Sequence, residues 1–161
     1  MKLAVVFLLA GLMWSQNQPK KGEPVVQPIG FSHRVHAAAG LDCRNCHRNA
    51  DPGEMMGIAP ASACMGCHKT LAAESDGIKR LARHAENKQE VPWARVYAIP
   101  SYVYFSHRRH AEAGAKCETC HGPVASRDVL WKENDISMGG CMDCHVRHRA
   151  RNDCNYCHEP R

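Results

Sequence analysis

The sequence predicts a small, loop-rich fold of mostly short α-helices whose interior is filled by something other than aliphatic side chains. Three observations carry that expectation. The 161 residues include ten Cys and eleven His but only three Phe, three Trp and four Tyr, so a core of large side chains would be thin. All ten Cys fall in pairs with two residues between them: Cys43/Cys46, Cys64/Cys67, Cys117/Cys120, Cys141/Cys144 and Cys154/Cys157. The stretch FSHRVHAAAGLDCRNCH (31–47) returns as FSHRRHAEAGAKCETCH (105–121), with its Cys and His on the same offsets.

The elements follow in order. Lys2 precedes a 12-residue apolar run, LAVVFLLAGLMW (3–14). At about 1.5 Å per helical residue it covers roughly 18 Å, short of the ~30 Å bilayer core. A charged start with a short apolar run reads as a secretory signal over 1–15. If uncleaved it is a short N-terminal anchor, since Ser15 is small but Met13 is not. The first Cys is Cys43, which excludes a lipid-bearing Cys at the signal's end. Residues 16–30 read as an extended lead broken by Pro and Gly, and 31–68 as a module with two Cys pairs. The connector 69–104 carries a helical pattern at 70–88, with Leu71, Ile78, Leu81 and Ala85 on one face, then a Pro-bounded segment. A second module occupies 105–145 and a tail 146–161. Export to the periplasm, or to the outer face of the cytoplasmic membrane, is the expected location.

Each Cys pair is followed at once by His: His47, His68, His121, His145 and His158. A disulfide clip, a thioredoxin-like redox pair and half a zinc site all use Cys-x-x-Cys, but none requires the His. At this His content, five of five by chance is roughly one in a million. The pattern spells five c-type haem attachments. Two thiols must reach the two vinyl groups of one porphyrin, and two intervening residues set that separation. The adjacent His becomes the fifth ligand of the iron. The expected core is then five covalently bound haems.

Six His remain. His33 and His107 stand ten residues before Cys43 and Cys117, and His36 and His110 seven before the same Cys. A segment of that length can bring an imidazole to the opposite face of the ring, and two copies in one register point to sixth ligands. CMGCH (64–68) and CMDCH (141–145) follow about twenty residues later in each half, so each half holds two attachments and two spare His. The fifth haem lies outside the repeat, and its sixth ligand could be His148, Met138, His84 or Met56. His148, six residues before Cys154, ranks first; Met138, three before Cys141, ranks second and would raise that haem's potential.

With Phe-x-His-x-x-His ahead of a haem motif, the chain resembles the class III multihaem cytochromes c. In those proteins the first His caps the haem of the following motif and the second caps a neighbour. The resemblance therefore implies that His33 caps the haem of Cys43/Cys46 and His107 that of Cys117/Cys120, with His36 and His110 crossing to other haems. VPWARVYAIPSYVYFSHRRH (91–110), CETCHGPV (117–124) and SMGGCMDCH (137–145) are similar to the pentahaem cytochrome subunits of alternative complex III, over roughly residues 25–158. That likeness implies a respiratory-chain role beside the subunits of a membrane quinol oxidoreductase, with soluble cytochrome c or an oxidase as acceptor.

The expected reaction is one-electron transfer, by an electron-transfer protein or complex subunit rather than a stand-alone enzyme. A free periplasmic shuttle is the alternative. A multihaem oxyanion reductase would need an iron with an open position, and six spare His and several Met leave no obvious vacancy. The net charge of +5 and pI near 8.7 do not imply nucleic acid, because the basic residues form no stripe. Haem propionates would shift that charge to about 0 when oxidised and about −5 when reduced.

Overall fold

A computed structural model describes residues 19–49 and 55–158. The expected signal at 1–15, the first residues of the lead and the last three of the tail lie outside them. Short helices dominate: α1 His33–Ala38, α2 Cys43–Cys46, α3 Ala61–His68, α4 Asp76–Glu86, α5 His107–Glu112, α6 Cys117–His121, a 3₁₀ turn Val124–Ser126, α7 Met138–Arg147 and α8 Cys154–His158. Loops make up the rest, in agreement with the expected class. No helix among the described residues is long and apolar enough to cross a membrane.

Local chemistry sets the helix ends. Ser32, Ser75, Ser106 and Ser137 cap α1, α4, α5 and α7, each hydroxyl accepting a backbone N–H of the first turn. Asp42 and Asn45 form a reciprocal capping box on α2. Helices α1 and α5 end alike. Leu41 and Ala115 donate back to His36 and His110 at 3.2 and 2.9 Å, while Gly40 and Gly114 donate to Ala37 and Ala111 at 3.0 Å. The two glycines take φ of +86° and +84°, as this reversal requires. The turn delivers Cys43 and Cys117 immediately afterwards.

The connector helix is shorter than its periodicity suggests. Ser75 receives the Ile78 N–H at 3.3 Å and starts α4 at Asp76, while Ala72 sits at φ +53°, which no helix continues. Leu71 therefore lies outside the helix and is exposed.

Ile29, Ala61, Leu81 and Val91 form the buried apolar core, with Cys64, Met65, Ile78, Ala85 and Trp93 partly buried against it. Helix α4 packs on α3 here. The lead runs extended along the far half of the chain. Gly22 donates to Lys132 at 3.0 Å and Val25 to Leu130 at 2.8 Å, and the Gln27 amide makes two 2.9 Å bonds to the Ala94 backbone. A second tie joins the modules. Arg34 grips Asp128 through two nitrogens at 3.0 and 3.1 Å, and Ser32 donates to the same carboxylate.

Candidate haem-ligating site

Four attachment histidines share one feature. The Nδ1 of His47, His68, His145 and His158 lies 2.6, 2.9, 2.5 and 3.3 Å from the backbone carbonyls of Gly57, Leu71, Arg151 and Tyr102. A carbonyl oxygen can only accept, so Nδ1 carries the proton and Nε2 keeps its lone pair. That is the tautomer a metal-bound imidazole needs, with its orientation set by the outer bond.

The spare histidines of the repeat obey the same rule. His36 and His110 donate Nδ1–H to the carbonyls of Ser32 and Ser106, at 2.7 and 2.8 Å. Phe31 lies stacked on His36 at 4.3 Å and edge-on to His33 at 4.8 Å. Phe105 does the same for His110 and His107 at 4.5 and 4.7 Å. One phenyl ring thus wedges both imidazoles of each module in place. These roles of Phe and Ser were not read from the sequence, although the repeated FSH carried the signal.

The ring pairs come close to what one iron would hold. A metal–nitrogen bond is about 2.0–2.1 Å and the imidazole centroid stands roughly 1.2 Å behind its nitrogen, so two imidazoles offered to one metal from opposite sides would have centroids roughly 6.4–6.6 Å apart. The structure sets His107 and His121 6.2 Å apart, His36 and His68 6.0 Å, and His110 and His145 6.0 Å. His33 and His47 are close enough for one's charge to disfavour the other's. Burial first, then His47 and His36, push the His33 pKa down to about 4, which keeps its imidazole neutral. Burial also lowers that of His121, with His107 and His47 adding to it. So His36 and His110 each reach the histidine of the second motif in their own module.

None of the ten thiols forms a disulfide. They lie in a succession that differs from chain order. Cys64 neighbours Cys46, Cys43 shares a hydrogen bond with Cys117, Cys120 neighbours Cys144, and Cys141 neighbours both Cys120 and Cys157. Burial raises the Cys43, Cys64, Cys120 and Cys141 pKa values first, and the adjacent thiols raise them further.

The thiols of the second motif differ from the other four pairs in exposure. In the other four motifs the first Cys (Cys43, Cys117, Cys141 and Cys154) is exposed and the second (Cys46, Cys120, Cys144 and Cys157) is half-buried. In CMGCH the order inverts: Cys64 is half-buried and Cys67 exposed. The cause is the apolar core, against which Cys64 packs from α3. Cys67 lies one turn further along the helix, where its carbonyl accepts the N–H groups of Thr70 and Leu71 at 3.2 and 3.1 Å. CMGCH and CMDCH are therefore equivalent in spacing but not in surroundings.

The remaining expected ligands are not brought to His158 as ring partners. His148 caps the end of α7 and is exposed, and His84 lies on α4 with its Nδ1 buried and unpartnered. Met138 opens α7, and Met56 sits in the loop whose Gly57 carbonyl serves His47.

Comparisons with known proteins identify the class. Residues 35–122 match the family described as cytochrome c3, and residues 103–159 match that of cytochrome c7 and related cytochrome c. The chain is 27% identical to the "Menaquinone reductase, multiheme cytochrome c subunit" of Nitratidesulfovibrio vulgaris, covering 83% of this chain and 77% of that one. With imidazoles set in pairs near the spacing of one iron and a family match over more than half its length, the chain belongs to the cytochrome c3 family of multihaem, electron-transferring cytochromes with covalently held haem c.

Proposed function

We propose that this chain is a periplasmic pentahaem cytochrome that passes single electrons as a subunit of a membrane quinol oxidoreductase, toward a soluble cytochrome c or an oxidase. The paired imidazoles at 6.0–6.2 Å are the observation that carries the reading. When bound, haem c supplies a one-electron Fe(III)/Fe(II) couple.

The residues divide the work. The ten thiols hold the groups covalently, while His47, His68, His121, His145 and His158 ligate from the attachment side. His33, His36, His107 and His110 would ligate from the other side, facing His47, His68, His121 and His145. With imidazoles offered from both sides, those sites would leave no room for an oxyanion, which favours electron transfer over bond-making. The succession of thiols supports a row ordered by attachment as second, first, third, fourth, fifth. Its middle is the junction of the two modules, at Cys43 and Cys117. Cys67, exposed on the second attachment, belongs to one end of that row.

The partner reading rests on the relative, which is named a subunit of a menaquinone reductase. A row of this kind serves electron flow onto a quinone or away from a quinol equally well. Potentials on the two partners set the direction.

Intact mass of denatured mature protein tests the cofactor count, with five haem additions expected and fewer overturning it. Purification from solubilised membranes tests the partner. Co-elution with a quinone-reactive membrane subunit is expected, whereas recovery of the whole population as a lone soluble protein makes it a free shuttle.

A further inference from the structure

The third attachment is held unlike its neighbours. At His47, His68 and His145 a backbone carbonyl takes the Nδ1–H, at 2.6, 2.9 and 2.5 Å. At the second and fourth sites the facing imidazoles, His36 and His110, are bonded to carbonyls as well, at 2.7 and 2.8 Å. Among the described residues no carbonyl or carboxylate serves His121 in this way. The Tyr97 ring stands against it instead, perpendicular at 90° with 4.9 Å between centroids.

Tyr97 is fixed in that position. It comes from the Pro-bounded segment of the connector, and its hydroxyl accepts the N–H groups of Glu133 and Asn134 at 2.9 and 3.3 Å. Asn134 donates in turn to the carbonyls of Glu118 and Thr119 on α6, at 3.3 and 3.0 Å. His121 is the last residue of that helix. Phenol ring and imidazole are therefore tied to one frame. The His121 plane lies within 9° of the His107 plane, whereas the pairs at the second and fourth sites are tilted by 57° and 41°.

The difference has an electronic meaning. A carbonyl that takes the Nδ1–H makes an imidazole more basic, which favours the ferric iron and lowers the potential. An aromatic ring is at best a weak acceptor of the same proton. His121 is thus a less electron-rich ligand than His47, His68 or His145.

We propose that Tyr97 is a positioning residue of the third site, standing against His121 in place of a carbonyl acceptor, so that this iron has the highest potential of the four sites served by two imidazoles. The inference rests on the pentahaem reading above. The third attachment lies where the two modules meet, with Cys43 and Cys117 sharing a hydrogen bond. An electron loaded singly onto those four sites then rests at the junction and not at an end.

The test uses the fully loaded protein, its five haems counted by intact mass so that failure of the pentahaem reading is seen separately. Near-parallel imidazole planes give the most rhombic low-spin ferric signal in electron paramagnetic resonance. Loss of that signal in His107→Ala identifies it as the third site's. In a stepwise reductive titration of the wild type it should vanish before the signals that His36→Ala and His110→Ala remove. Tyr97→Gln brings an amide oxygen to the imidazole, and the signal should no longer vanish first. Tyr97→Leu admits water to the Nδ1–H, should act the same way, and serves if the glutamine form fails to mature. Tyr97→Phe keeps the ring but loses the acceptor of the Glu133 and Asn134 N–H groups. It should unfold at lower denaturant and leave the order of reduction unchanged. A five-haem wild type whose His107-dependent signal does not vanish first would overturn the assignment. So would an order indifferent to whichever of Tyr97→Gln and Tyr97→Leu matures, or one altered equally by Tyr97→Phe.

Discussion

The two halves of the repeat agree atom for atom where they present ligands and diverge between those points. In both, a serine caps the helix, its carbonyl takes a histidine Nδ1–H, a phenylalanine wedges two imidazoles, and a glycine reversal leads to the Cys pair. Beyond the first attachment they part. In the first module the Gly57 carbonyl holds His47 at 2.6 Å. In the second, Gly122 follows His121 directly, and the Tyr97 ring lies edge-on to His121 at 4.9 Å. The Tyr97 hydroxyl accepts the Glu133 N–H at 2.9 Å, and Asn134 braces α6 through the carbonyls of Glu118 and Thr119. The spare imidazoles are thus offered in one way in both modules, while the attachment histidines are held by different neighbours.

That equivalence can be broken most visibly at the ligands. His36→Ala and His110→Ala should each leave one iron without its opposite imidazole, seen as conversion of one low-spin centre to high spin by electron paramagnetic resonance. Matching losses are expected in the two modules. A low-spin spectrum retained in either variant would mean that the halves are not equivalent.

The divergent segments should answer differently to the same substitution. Gly122 has φ +73° and ψ −173°, a region essentially closed to other residues, and a Cβ there would lie 2.9 Å from the Glu133 carboxylate. Glu133 is pinned by two bonds from Arg127, at 2.8 and 3.1 Å, and cannot easily move. Gly122→Ala should cost about 2–3 kcal/mol in denaturant unfolding of the loaded protein. Gly57 has φ +68°, but the nearest atom to an added Cβ is the Asn49 Cβ at 3.7 Å. Its replacement by alanine should cost only the backbone share, about 1 kcal/mol. Equal losses would show that Glu133 yields.

The smallest effect belongs to the tie between the halves. The Ser32 hydroxyl, then Arg34, hold the Asp128 carboxyl below its usual pKa. Its folded value is thus lower than its unfolded one, so the contribution is present above about pH 4 and lost as pH falls through the folded value. Both partners are more than half exposed, so solvent screens the pair. Asp128→Asn should lower the melting temperature slightly at neutral pH and not at all in strong acid. A penalty that is unchanged in strong acid would place the role of Asp128 in something other than its charge.

The chemistry of this chain was more legible than its architecture. Five Cys-x-x-Cys-His motifs and two registered His pairs point to haem attachment and ligation through residue types and spacing that a sequence displays directly. The paired repeat likewise exposed Phe31 and Ser32 beside Phe105 and Ser106, had their recurrence been read as support for the imidazoles. The acceptors of the attachment histidines were illegible, because Gly57, Leu71, Tyr102 and Arg151 serve through backbone carbonyls that any residue possesses. The start of α4 was misplaced because an apolar period at Leu71 cannot reveal that Ser75 caps and Ala72 turns the chain. The inverted exposure of Cys64 and Cys67 was hidden for a similar reason, since identical spacing does not reveal which thiol meets the core. The partners of His36 and His110 within their own modules needed three dimensions.

The small apolar core of the described residues has a consequence for biogenesis. Ile29, Ala61, Leu81 and Val91 bury too little apolar surface to offset the ordering of a chain this long. The polypeptide therefore has little to condense upon until porphyrin is stitched to it, and ligation and folding become one event, as in small metal-dependent domains. A molecule that misses a haem should lack part of that core and be more open to proteolysis. Once complete, the protein can unfold and return with its core still sewn to the backbone, a recovery closed to proteins whose cofactors diffuse away.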